Sequence, residues 1–433
     1  MKIQFPGVSQ SDLDYALLCL ADCRHEEAAE SGFPYPYFAP GGGYGAQWWQ
    51  LDSALALSGY KWVDWRFAET ALLNFVEAQK EDGRICLWGG DILPERVAGD
   101  EVPLQREGVS SIPKLFDVAC GILEGSTDEK LMQRVCTMLV RYLDWWYAAR
   151  FDARTGLLSS VFEETVVPYL GRAGEYAGVD TNVEVYVGLT RTAQLARRLG
   201  RDGEAALLEG RAEALKRAIN AYLWDEERGA YYAYDLRAGR RRDCLMASAF
   251  CPLRLGIAPE ENRARLLRLL LDPTAFNWET RPLTSVSMRD PAFCTTTGVY
   301  KGNASWSGNV WSLINEMVVR GLLDCGEDAL AAELAWKTVR IFNHNCAEFA
   351  NPFDGRGHGV EKYGWTASQY LELLVEVIFG IRYDVRRNEV TVSPKLCGAL
   401  SGERLSLEDV RLPNGQTLDV CIDAGRTSLR LRA

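Results

Sequence analysis

The sequence predicts an all-α fold, an (α/α)6 barrel of six helical hairpins, followed by a small β-rich extension. Three observations predict it. Apolar residues recur at helical spacing in about twelve segments. The links between those segments alternate short and long. After residue 382 the pattern changes to short runs of alternating apolar and polar residues.

In chain order the helices are expected near 10–30, 46–58, 63–80, 111–124, 128–149, 180–199, 203–223, 242–256, 259–271, 306–323, 327–343 and 364–379. Leu131, Val135, Leu139, Tyr142 and Trp146 share one helix face, and Leu208, Ala212, Leu215 and Ile219 share another with charge on the opposite side. Val183–Leu189 is apolar almost all round, the mark of a helix buried on most sides. The links SGYK, GSTD, GRDG, GIAP and DCGE are short, while 31–45, 81–110, 150–179, 224–241, 272–305 and 344–363 are long. Alternation of this kind describes hairpins whose long loops share one end. Six hairpins close into two rings, with the less amphipathic even-numbered helices inside and the long loops walling a funnel. RNEVTVSP, RLSLEDVRLP, TLDVCIDAG and TSLRLRA then read as strands separated by turns. The division expected is 1–382 for the barrel and 383–433 for the β-rich appendage.

Composition narrows the partners. A net charge of -11 argues against nucleic acid and against an anionic membrane surface. No run of eighteen apolar residues is present, and the first twenty residues lack a signal-peptide pattern. The twelve cysteines show no CxxC spacing and only three histidines accompany them, so free thiols in the reducing cytoplasm are expected, with no metal and no cofactor. The oligomeric state is left as monomer or homodimer.

Aromatic residues gather in the long loops and at the helix starts after them. They include Tyr37, Tyr44, Trp48, Trp49, Trp88, Tyr169, Trp278, Tyr300, Trp306, Trp311, Tyr363 and Trp365. Flat aromatic plates beside carboxylates suit a sugar, which offers C–H faces and hydroxyl edges. Carboxylates in the same loops are Asp52, Asp91, Glu163, Glu164, Asp180, Glu348, Asp354 and Glu361. Glycoside hydrolysis needs two of them, one protonated and one ionised. LWGGDILP sets Trp88 and Asp91 at a glycine-flexed turn suited to sugar hydroxyls. Asp180, in GVDTNVEV, is expected to cap the sixth helix, with a sugar contact as the alternative.

The stretch from LDPTAFNWETRPLTSVSMRDPAF through YKGNASWSGNVW, then EFANPFDG and YGWTASQY, resembles glycoside hydrolase family 63. PGGGYGAQWWQLDSAL is similar to a motif of the related family 37 trehalases, and EYAGVDTNVEVYVGL to their V-D-L-N helix start. The resemblance implies an inverting hydrolase of α-glycosidic bonds, with α-glucosidic bonds of oligosaccharides or glycosides the expected type. It implies that Glu348 activates water. The family's acid motif, E-S-G-x-D, is absent. The matching loop offers Glu164, favoured because Tyr169 follows five residues later, or Glu163. Gln47 and Asp52 fall on the trehalase-like stretch and Asn182 on the V-D-L-N match, which implies sugar contacts. Lys301 and Gly302 depart from an arginine-containing family stretch.

Two alternatives come from other chemistry. His344 and His358 flank Glu348 and could serve a sugar isomerase or epimerase as a proton-transfer pair. A carbohydrate-binding protein that has lost its acid is the other.

Overall fold

The computed structural model describes residues 1–26, 33–88, 108–161, 163–166, 174–295 and 307–433. Among the described residues, twelve helices build the barrel. They are α1 (Gln10–Cys23), α2 (Gln50–Tyr60), α3 (Trp65–Glu77), α4 (Leu115–Leu123), α5 (Glu129–Arg150) and α6 (Val179–Arg198). Then come α7 (Asp202–Ala218), α8 (Ala247–Gly256), α9 (Glu260–Leu270), α10 (Ser312–Asp324), α11 (Asp328–Ile341) and α12 (Gly364–Glu372). The even-numbered helices touch in sequence, α2 on α4, α4 on α6, α6 on α8, α8 on α10, α10 on α12, and α12 again on α2. That closes an inner ring, and the fold is the expected (α/α)6 barrel.

Local chemistry explains where the helices start. Ser9 and Asp12 form a capping box at α1, and the Asp64 and Asp128 side chains cap α3 and α5. Two of the inner helices are buried all round: every residue of α2 and of α12 is buried. Two such helices can approach closely only over small residues. At Gly59 of α2 a Cβ would lie 1.9 Å from the Ser368 carbonyl oxygen.

Four helices differ from expectation, the twelfth by ending at Glu372 and continuing as a π-helical turn through Ile378. The first ends at Cys23, because Arg24 and His25 pair as strand with Phe38 and Tyr37. The seventh ends at Ala218 and continues as a π-helical turn through Leu223. The eighth is a kinked 3-10 helix. Pro252 has no N–H to give to an α-helical ladder, and Leu255 turns to φ +46°.

The ring closes over buried ion pairs. Lys114 Nζ lies 3.1 Å from Glu316 and 3.7 Å from Glu184, and Arg254 reaches Asp117 at 3.1 Å and Asp324 at 2.9 Å. Charges taken from water contribute little net stability but penalise any register that separates them.

Strands occupy the other end of the chain. A hairpin joins β4 (Ile381–Asp384) to β5 (Glu389–Val392). β6 (Leu405–Arg411), β7 (Thr417–Asp423) and β8 (Arg426–Arg432) form an antiparallel sheet, and β1 (Lys2–Gln4), from the chain start, adds its fourth strand beside β6. Leu405, Leu407, Val410, Leu418, Val420 and Ile422 bury one face, the period-two alternation that the sequence shows. The Arg411 amide donates to the Trp62 carbonyl at 3.0 Å, which fixes the sheet to the short-link end, away from the long loops.

Candidate active site

The funnel is built from the N-terminal ends of inner helices. Asp52 lies in the first turn of α2, Asp180 in that of α6, Trp311 caps α10 and Tyr363 caps α12. Long loops enter at each of these points, so loop residues and helix starts meet there.

Glu348 opens a two-residue hairpin, β2 (Phe349–Ala350) paired with β3 (Gly357–His358). An Asn351 turn closes it: the Asn351 carbonyl accepts from Gly355 at 3.0 Å and its side chain from Phe353 at 2.8 Å. Beyond the hairpin the Glu348 amide donates to the Val360 carbonyl at 2.8 Å. The Val360 amide donates back to the Glu348 carboxylate at 3.1 Å. Gly359 stands between at φ +77°. A Cβ there would lie 2.5 Å from Glu348 Oε2, so backbone conformation and space both require glycine. Burial pushes the Glu348 carboxyl up to about 7. The Val360 amide opposes this and the charge of Glu163 adds to it.

The adjacent glutamates of the 159–166 loop face different ways. Glu164 is fully buried. Arg150 holds it through Nε and Nη2, both at 2.7 Å, and the Ser110 amide donates to it at 2.9 Å. Glu163 is half-buried at φ +70° and lies close enough to act on Glu348, Asp52 and Tyr44. The turn that aims it is pinned on every side. The Ile112 amide donates to the Glu163 carbonyl at 2.8 Å, and Thr181 Oγ1 to the Glu164 carbonyl at 2.8 Å. Asp180 accepts from Thr165 Oγ1 and from the Val166 amide, each at 2.7 Å.

Asp52 is the third carboxylate. Its Oδ1 accepts from the Tyr363 hydroxyl at 2.7 Å. Burial pushes it up to about 7, Tyr363 opposes this, and Glu348 and then Glu163 add to the rise. Tyr44 is raised by burial and by the same three carboxylates. Glu348 and Asp52, both raised by burial and by the charge of Glu163, retain protons near neutral pH, which suits acid–base chemistry.

Aromatic rings line this cluster. Trp49 lies 6.1 Å from Trp88 and edge-on to Tyr44 at 5.7 Å. Tyr363 meets Trp365 edge-on at 4.9 Å. The indole N–H groups of Trp49, Trp88 and Trp365 are buried without a partner among the described residues. Gln47 is half-buried beside Trp48 at the end of the same loop.

Several expected site residues turn out to belong to the framework. Glu164 offers substrate no open face, because Arg150 and two amides surround its carboxylate. Trp48 is 1% exposed, packed between Phe33 and Phe75. Trp311 stacks on Phe349 at 4.9 Å and so braces the hairpin that carries Glu348. Asp180 is not the helix cap, which is Gly178; it ties α6 to the Glu163 turn. Asn182 holds Leu158 through both its amide N–H and its carbonyl. Asp91, Tyr300, Lys301 and Trp306 lie outside the described residues, as do Tyr169 and Gly302. His344 pairs with Asp12 and stacks on Tyr15 at 5.7 Å, at the opening turn of α1. Cys23, at the far end of α1, contacts the Lys362 carbonyl at the funnel. Eleven residues separate Asp12 from Cys23, about 16 Å of helix, so the end of α1 that holds His344 lies away from the funnel. Arg150 emerges as a site residue that the sequence did not single out, and Tyr44, one of the loop aromatics, joins the carboxylates.

Residues 167–366 match the family described as "Mannosylglycerate hydrolase MGH1-like glycoside hydrolase domain". A mannosylglycerate hydrolase of Rubrobacter radiotolerans is 32% identical over 188 residues, 42% of this chain and 40% of that protein. A periplasmic trehalase of Salmonella newport is 25% identical over 243 residues, 53% of this chain and 38% of that one. The matched segments thus span about two fifths of these relatives' lengths. The crystal structure of the family 63 mannosylglycerate hydrolase from Thermus thermophilus in complex with glucose superposes with a TM-score of 0.69. It covers 83% of this chain and 99% of that one at 22% identity, a likeness of fold. These comparisons bear out the resemblance to the family 63-like and trehalase-like glycosidases.

Proposed function

We propose that the protein is an inverting glycoside hydrolase that cleaves the α-glycosidic bond of a small soluble glycoside. The observation that carries the reading is the opposition of Glu163 and Glu348. Two acids on separate loops lie close enough for the charge of one to raise the other, beside the rings of Tyr44, Trp49 and Tyr363. In this reading Glu163 protonates the glycosidic oxygen. Glu348 deprotonates a water that attacks the anomeric carbon from the opposite face. The carboxyl groups of such a pair stand about 6.5–9.5 Å apart, with room for the water between them. Asp52, held by Tyr363, accepts hydroxyl hydrogen bonds from the sugar in the first subsite, and Trp49 and Trp88 cover its C–H faces. Arg150 and Glu164 keep Glu163 in place.

Similarity to mannosylglycerate hydrolases and trehalases supports an α-linked hexose as the glycone, glucose or mannose, with a small aglycone. Cytoplasmic residence fits twelve cysteines that form no disulfide among the described residues, where no helix is long and apolar enough to cross a membrane. We keep the division into a barrel of residues 1–382 and an appendage of 383–433. The test is a hydrolysis panel of α-mannosylglycerate, α-glucosylglycerate, trehalose, kojibiose, nigerose, maltose and isomaltose. Turnover of at least one that is lost in Glu348→Gln supports the reading. Binding without turnover across the panel would leave a carbohydrate-binding protein in its place.

A further inference from the structure

We propose that a second ligand site lies at the opposite end of the barrel, where a cavity of about 550 Å³ takes a small organic phosphate. The phosphate sits between Arg198 and Arg386, and the rest of the molecule lies against Trp62 and Trp65. The cavity opens between the α2–α3 link, α4, the end of α6 and the β4–β5 hairpin. It is separate from the carboxylate cluster. Asp52 and Lys61 lie nine residues apart along α2, about 14 Å of helix.

The charges in this cavity do not balance. Lys61 is neutralised by Glu376 at 2.6 Å, and Arg191 by Glu124 at 3.0 Å and Asp117 at 3.4 Å. Arg198 has no carboxylate partner among the described residues; its guanidinium donates only to the carbonyls of Leu123 at 2.7 Å and Ser126 at 2.6 Å. Arg386 also has no ion pair among them. Burial lowers Arg198, and repulsion from Arg386 lowers it further, outweighing the attraction of Glu124 and of Asp384. Two guanidiniums that repel each other, neither in an ion pair among the described residues, make a ready anion site.

The apolar side of the cavity is equally specific. Trp62 and Trp65 stand edge-to-face at 5.3 Å, and both line it. The Trp62 indole N–H is taken by Glu376 at 2.9 Å, but that of Trp65 is buried with no partner among the described residues. A volume of this size, with aromatic walls and a few convergent polar groups, is typical of small-molecule pockets.

Isothermal titration of the full chain with glucose 6-phosphate and with inorganic phosphate tests the site. The expected result is saturable one-site binding of glucose 6-phosphate, with weaker binding of inorganic phosphate, which lacks the part that meets the tryptophans. Arg386→Glu, at an exposed position, should weaken binding at least tenfold without moving the unfolding curve, and Arg198→Gln should weaken it likewise. Glu348→Gln should leave it unchanged. Absence of saturable binding, wild-type affinity in both arginine variants, or loss in Glu348→Gln would overturn the proposal.

Discussion

The Tyr363 hydroxyl donates to Asp52 Oδ1 across 2.7 Å, joining the residue that caps α12 to the first turn of α2. This bond closes the seam between the first and last inner helices at the funnel. It also holds a carboxyl that burial has pushed up to about 7, well above the usual carboxylate range.

That shift makes a stability prediction. Below pH 4 Asp52 is protonated in both native and unfolded chains. As pH rises the unfolded chain loses that proton first, so the native state is progressively disfavoured until pH passes about 7. Asp52→Asn removes this term while keeping an oxygen for Tyr363. Relative to wild type, the variant should gain stability between pH 4 and pH 8. About 4 kcal/mol is the upper bound, at about 1.4 kcal/mol per unit. Denaturant midpoints at both pH values check it, and an equal difference at both would contradict the assignment.

Glu348 should set the acidic limb of activity near pH 7, since a base must be ionised and burial opposes ionisation. Part of that rise comes from Glu163. An α-glycosyl fluoride needs no proton on its leaving group, so Glu163→Gln should still turn it over. The limb should then lie at lower pH than in wild type. A limb that stays put would show that the two groups do not interact.

Arg150 and Glu164 are both buried, and their ion pair anchors the Glu163 turn. Arg150→Met leaves a carboxylate buried and uncompensated, at a cost of about 3–5 kcal/mol. Adding Glu164→Gln should recover part of that cost. Chemical unfolding of the single and double variants measures both, and an additive or larger loss in the double variant would count against the pairing.

Gly359→Ala forces a Cβ into left-handed backbone and against Glu348 Oε2. Stability should fall by about 1–2 kcal/mol, whereas kcat should fall by at least tenfold, because the base is displaced. Steady-state kinetics beside a melting curve separates the two; wild-type kcat in a folded variant would rule out this role for the hairpin.

Much of this architecture could be read from the sequence. Hydrophobic periodicity placed every barrel helix, although the first and the twelfth end about seven residues earlier than expected, and the link lengths placed the loops at one end. Long links cannot cross a closed ring without a shared face. What misled was proximity in sequence. Glu163 and Glu164 are adjacent, and only the positive φ at Glu163 and the distant Arg150, thirteen residues before it, decide which carboxylate meets the funnel. Trp48 and Trp49 repeat the lesson, one packed in the core and one on the wall. His344 stood close to Glu348 in the chain, but its partner Asp12 lies at the other end of α1.

Proton NMR of the sugar released from a cleaved α-glycoside, recorded in the first minutes, tests the central claim most directly. Opposed action by Glu163 and Glu348 predicts that the β-anomer appears first and mutarotates to the equilibrium mixture. It predicts that Glu163→Gln and Glu348→Gln each abolish release while remaining folded. Appearance of the α-anomer first, or turnover of the glycoside undiminished in Glu163→Gln, would contradict it.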